Sequence, residues 1–73
     1  MGNLTSKLKI QNKINFLRAE LKITQKQLAE ATGVTRATIV AIEKGNYNPS
    51  LELAFRISRY FKKDLNTIFH MES

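Results

Sequence analysis

Ile10, Ile14, Leu17 and Leu21 follow one another at spacings of four, three and four residues. That spacing gathers them on one helical face and predicts an amphipathic helix over about Gln11 to Lys22. Thr24 then offers an N-cap hydroxyl with Gln27 three residues on, the pattern of a capping box opening a short helix over about Gln25 to Thr32. Gly33 supplies the left-handed turn that ends it. Thr35 is a second N-cap, and Val34, Ile39 and Ile42 form the apolar stripe of a third helix, about Arg36 to Lys44, which Gly45 stops. Asn46 to Pro49 make a polar loop in which Pro49 pushes Asn48 toward extended geometry. Ser50 caps a fourth helix whose Leu51, Ala54, Ile57, Ser58 and Phe61 share a face, and Asp64 caps a short fifth, with Leu65, Ile68 and Phe69 closing the core. The pattern predicts an all-α, five-helix domain.

Both ends carry a second periodicity. Lys7 to Gln11 alternate polar and apolar, as do Phe69 to Glu72, which reads either as two short terminal β-strands or as frayed ends with incidental alternation. An isolated strand pair is marginal in water, so strands here make most sense if they join a second copy of the chain.

The chain of 73 residues leaves room for one domain spanning 1–73, with no repeat, low-complexity stretch or linker along it. An apolar fraction of 42% fits a globular rather than a disordered chain. With no cysteine there is no disulfide scaffold, Cys-based zinc site or thiol nucleophile. No apolar run approaches the roughly 20 residues of a membrane span, and Met1 to Lys7 lack the apolar core of a signal peptide; a cytoplasmic protein without a membrane role is expected. Twelve Lys and Arg against six acids give a net charge of +6, which favours an anionic partner without naming it.

The segment Gln25 to Lys44 narrows the choice. Two short helices joined by a tight turn must cross closely, and Ala29 is small where they approach, while Leu28, Val34, Ile39 and Ile42 clamp both onto the core. The landmarks NKINFLRAE, TQKQLAEATGVTRATI, AIEKGNYNPSLELAFRIS and DLNTIF resemble, over about Asn12 to Phe69, the Cro and phage-repressor helix-turn-helix family, also called the Xre family. The resemblance implies a lambda-repressor-like DNA-binding domain with its motif at about 24–44, and a transcriptional regulator, of the short stand-alone type, that acts on double-stranded DNA as a homodimer.

In this family the second helix of the motif enters the major groove, and its early residues meet base edges. The resemblance makes Arg36 the expected base reader, because Arg pairs with guanine O6 and N7 through two hydrogen bonds; a phosphate contact is the alternative. Thr35 is explained equally by capping, and Thr38 is the better contact. Gln25 stands where the family binds backbone phosphate, with Lys26 as a further phosphate contact or a solvated side chain. Where many members carry a Gln that reads adenine, this chain has Ala37, and the next outward positions, Val40 and Ala41, are also apolar. Such groups pack on thymine methyls, and DNA shape supplies further specificity. Lys44, Asn48 and Ser50 are candidate phosphate contacts beyond the reading helix. Tyr47 is expected to pack over the loop. By the same resemblance, Arg18 and Glu43 form a partly buried ion pair joining the first and third helices.

Enzymatic function is not expected. His70 is the one histidine, and no carboxylate pair or phosphate-binding glycine loop stands out, nor is a metal or cofactor implied. A closer rival is an antitoxin or partner-binding module of the same fold, whose protein partner the sequence does not name. A cationic membrane peptide is disfavoured because the apolar helix faces have each other to cover; Lys62 and Lys63 complement the end of the fourth helix.

Overall fold

The computed structural model describes residues 9–72. The reading of Met1 to Lys7 as a polar start, and of Lys7 and Leu8 as part of a strand, lies outside them. In chain order the elements are β1 (Lys9–Asn12), α1 (Ile14–Leu21), α2 (Gln25–Thr32), α3 (Arg36–Glu43), α4 (Leu51–Phe61), α5 (Leu65–Ile68) and β2 (Phe69–Glu72). None of these helices is long and apolar enough to cross a membrane.

The five helices follow the apolar spacing and the caps. Ile14, Leu28, Ile39, Ile57 and Ile68 are wholly buried, with Leu17, Ala29, Ile42, Leu53, Ala54, Phe61 and Phe69 around them. Gly33 and Gly45 take φ of 79° and 80°, left-handed values that side chains resist. At the ends of α1 and α4, Lys22 and Lys62 adopt the same conformation at φ 57° without being glycines, a strain of about 1–2 kcal/mol each. Asp64 stands in N-cap position before α5, but its side chain makes no capping hydrogen bond.

Several assignments differ from the sequence reading. The first helix starts at Ile14 rather than about Gln11, because Lys9–Asn12 are extended in β1, and Asn12 Oδ1 accepts from Ile14 N at 3.1 Å to open it. Ile10 therefore reaches the core margin from a strand, and Leu21, the last residue before the left-handed Lys22, is exposed. On α4, Leu53 is buried and Leu51 is 70% exposed. At 3.6 residues per turn, Leu53, Ala54, Ile57 and Phe61 occupy one arc, with Leu51 roughly a sixth of a turn outside it.

The terminal alternation is real structure. β1 pairs antiparallel with β2, Ile10 opposite Met71 and Asn12 opposite Phe69. The pairing closes within one chain, so the strands need no second copy to form. What holds so short a ribbon is its attachment to the core: Lys13 N donates to Ile68 O at 2.9 Å, and Phe69, expected on the last helix, is the buried first residue of β2.

Candidate nucleic-acid interface

The helical pair is built from its caps inward. Thr24 Oγ1 accepts from Gln27 N at 3.0 Å, and Gln27 Oε1 accepts in return from Thr24 N at 2.8 Å, so the capping box is complete. α2 then runs to Thr32, whose buried hydroxyl donates to Leu28 O at 2.8 Å. At Gly33 a Cβ would meet the end of the flexible Arg56 side chain, Nη1 at 3.0 Å, so the positive φ is what calls for glycine there. Beyond the turn, Thr35 Oγ1 accepts from Thr38 N at 3.3 Å and lies 3.1 Å from Thr38 Oγ1. Thr35 thus caps α3.

Leu28, Ala29, Ile39 and Ile42 face inward at 2% exposure or less. That burial turns the opposite side of α3 outward: Arg36 and Ala37 are exposed, and Val40 and Ala41 half-buried. An outward surface with one guanidinium and several small apolar groups can pair with a guanine edge and pack on methyl groups.

The other expected contacts fall into separate places around this surface. Gln25, Lys26 and Arg36 line one open cleft with Arg18, Ile23 and Thr24. Thr38, Tyr47 and Ser50 line a second, with Val34, Glu52, Leu53 and Arg56; Ser50 Oγ accepts from Leu53 N at 3.1 Å and so caps α4. Lys44, the exposed C-cap of α3, borders a third with Gln11, Asn46 and His70. His70 is exposed, with Nε2 2.9 Å from Gln11 Oε1. Asn48 lies apart from all of these, on an apolar groove with Ile10, Pro49, Leu51, Ala54, Leu65 and Phe69.

Behind α3 stands the ion pair expected of Arg18 and Glu43. Arg18 Nε donates to Glu43 Oε2 at 2.6 Å and Nη2 to Oε1 at 3.1 Å, with the two side chains 15% and 8% exposed. Arg18 Nη1 also reaches Ile23 O at 3.0 Å, and Gln25 Nε2 donates to Glu43 Oε1 at 3.0 Å. One carboxylate therefore joins α1, α2 and α3, and Arg18 ties in the approach to α2.

Two supports were missed in the sequence. Asn12 Nδ2 donates to Ile42 O at 3.0 Å, pinning the end of α3 to β1; an Asn just before an apolar-periodic run was a visible capping signal, but not for this second bond. Arg56 Nη1 donates to Thr32 O at 3.2 Å, tying the end of α2 to α4, and Nη2 meets Glu52 Oε2 at 2.6 Å. The Glu52–Arg56 spacing of four was legible as a helical pair.

Residues 14–68 match the helix-turn-helix family model. The chain belongs to the Xre-type helix-turn-helix family. This Xre-type domain is 48% identical over 63 residues to an uncharacterised HTH-type transcriptional regulator of Methanocaldococcus jannaschii, covering 86% of this chain and 96% of that protein. It is 44% identical over 63 residues to an uncharacterised HTH-type transcriptional regulator of Bacillus subtilis, YgzD, with the same coverage. Among solved structures it is similar to the restriction-modification controller protein C.AhdI of Aeromonas hydrophila (TM-score 0.69, 22% identity, 75% of this chain and 80% of that one). It is similar also to a candidate DNA-binding protein of Bacteroides fragilis (TM-score 0.74, 24% identity, 84% and 98%). The structural likeness shows a lambda-repressor-like fold, here with a short two-stranded sheet. The sequence likeness places the chain among DNA-binding transcriptional regulators.

Proposed function

We propose that the chain is a sequence-specific, double-stranded-DNA-binding repressor that reads a palindromic operator as a homodimer. The observation that carries this reading is the orientation of α3, whose buried Ile39 and Ile42 turn Arg36, Ala37, Val40 and Ala41 outward. Beside that surface stand Gln25 and Lys26 at the start of α2 and Ser50 at the start of α4. Helix N-termini present free N–H groups that favour phosphate, so α2 and α4 grip the backbone on either side while α3 enters the major groove. Arg36 reads guanine, Thr38 meets a phosphate or base edge, and Ala37, Val40 and Ala41 pack on thymine methyls. Thr35 contributes through its cap and the start of α3, and Lys44 and Asn48 are further phosphate contacts.

The homodimer finds support in the apolar groove beside α4. Leu51 is 70% exposed at the edge of the groove that Ile10, Pro49, Leu65 and Phe69 line, and Met71 of β2 is 59% exposed. A second copy of the chain buries such a surface and repeats the reading helix by two-fold symmetry. Repression requires nothing beyond occupying the operator, and a cytoplasmic protein meets its DNA there. Residues 1–73 act in this reading as one DNA-binding domain.

Selection of binding sites from a random duplex pool at about 0.15 M salt tests the proposal, since weak electrostatic binding is suppressed there. The expected product is a palindrome with half-sites roughly 34–36 Å apart, one helical turn. Failure to enrich any sequence, with only salt-sensitive binding left, overturns it in favour of a partner-binding role such as that of an antitoxin.

A further inference from the structure

The cleft beside the start of α4 gathers hydrogen-bond donors around one guanidinium. Thr38 of α3, Tyr47 of the following loop and Ser50 bring hydroxyls to it, and Arg56 lines it from the second turn of α4. A phosphate oxygen accepts hydrogen bonds, so hydroxyls and a guanidinium are the groups it requires. Arg56 is held at two points: Nη1 donates to Thr32 O at 3.2 Å, at the end of α2, and Nη2 to Glu52 Oε2 at 2.6 Å. The first bond anchors the guanidinium between α2 and α4. The second pairs it with the one carboxylate among the residues that line the cleft. That pair is open to solvent, with side chains 50% and 75% exposed, and spans four residues of one helix. Such pairs contribute little to stability, so Nη2 is available to a stronger acceptor. As it stands, however, the pair is neutral and offers an anion little attraction.

We propose that Arg56 is a further phosphate contact of the DNA-bound protein and that Glu52 is a built-in competitor for it. When the DNA backbone enters the cleft beside Thr38 and Ser50, Nη2 exchanges Glu52 for a phosphate oxygen while Nη1 stays on Thr32 O. One guanidinium cannot neutralise a carboxylate and a phosphate together, so Glu52 lowers the gain from a phosphate bound there. The exchange takes place at the backbone; it therefore sets the affinity for duplexes of any sequence and leaves the choice of base to α3. This deepens the reading of the chain as a DNA-binding regulator and rests on it.

The test measures dissociation constants for a duplex recovered by site selection and for an unrelated duplex, between about 0.05 and 0.2 M salt. The proteins are the wild type, Arg56→Gln, Arg56→Lys, Glu52→Gln and the double variant Arg56→Gln, Glu52→Gln, with thermal melting of each. Arg56→Gln should weaken both duplexes alike, by about three- to tenfold, and make the dependence of log Kd on log salt shallower by about 1. Arg56→Lys keeps the charge and should keep the wild-type slope. Glu52→Gln alters only an exposed pair within α4 and reports even where Arg56→Gln melts early. It should tighten both duplexes by about two- to fivefold, and most of that gain should be gone in the double variant. An equal gain from Glu52→Gln with and without Arg56 overturns the competition, because Glu52 then acts on the phosphate alone. Unchanged or weaker binding by Glu52→Gln overturns it as well. Wild-type affinity and slope in Arg56→Gln overturn the contact while leaving the DNA-binding reading standing, whereas a wild type that binds neither duplex removes both.

Discussion

At its C-terminal end α3 is tied to three other elements, through Glu43 to Arg18 on α1 and Gln25 on α2, and through Ile42 O to Asn12 on β1. At its N-terminal end Thr35 and Thr38 bond to each other and Arg36 projects into an open cleft. A helix clamped at one end and presented at the other separates two duties. Changes at the clamped end should act on folding, and changes at the presented end on the ligand.

The sharpest way to break that comparison is Glu43→Ala. It strands the Arg18 guanidinium at 15% exposure, and unfolding in denaturant should show a loss of about 3–5 kcal/mol; unchanged stability would sink the idea of a clamp. Arg36→Ala should do the opposite, lowering discrimination between guanine and other bases by about 1–3 kcal/mol in a binding titration with the same melting temperature. A fall in melting temperature there would mean that the presented end is structural as well. Asn12→Ala removes the bonds to Ile14 N and Ile42 O, and a loss of about 1–2 kcal/mol in stability is expected from equilibrium unfolding. Thr35→Ala, at the presented end, tests the boundary between the two duties. Losing its cap should cost about 1 kcal/mol of stability, so a much larger loss would place the start of α3 among the clamped parts.

How much of this was legible depends on the distance over which each signal acts. The capping box at Thr24 and Gln27, the caps at Thr35 and Ser50, and the turns at Gly33 and Gly45 are relations among residues a few positions apart, and each appears in the structure where local chemistry put it. Leu51 and Leu53 are both leucines at the start of one helix, and the 3.6-residue period that groups Leu53 with Ala54, Ile57 and Phe61 separates them, a local signal that the sequence reading misjudged. The Arg18–Glu43 pair spans 25 residues; family resemblance anticipated it, while no spacing rule could. The candidate site was legible as a set of residues but not as an arrangement: Gln25 and Arg36 meet in one cleft, Thr38 and Ser50 in another, and Asn48 stands on the apolar groove.

The sequence by itself determined that five helices form, where three of them are capped or turned, and that a helix-turn-helix pair lies at their centre, because these follow from apolar periodicity and from hydrogen bonds between near neighbours. Tertiary structure alone decided that the terminal segments pair with each other and that Gln25 is bound to Glu43. Each of those is a contact between distant parts of the chain, and the relative placement of the packed elements, rather than any local preference, sets its free energy.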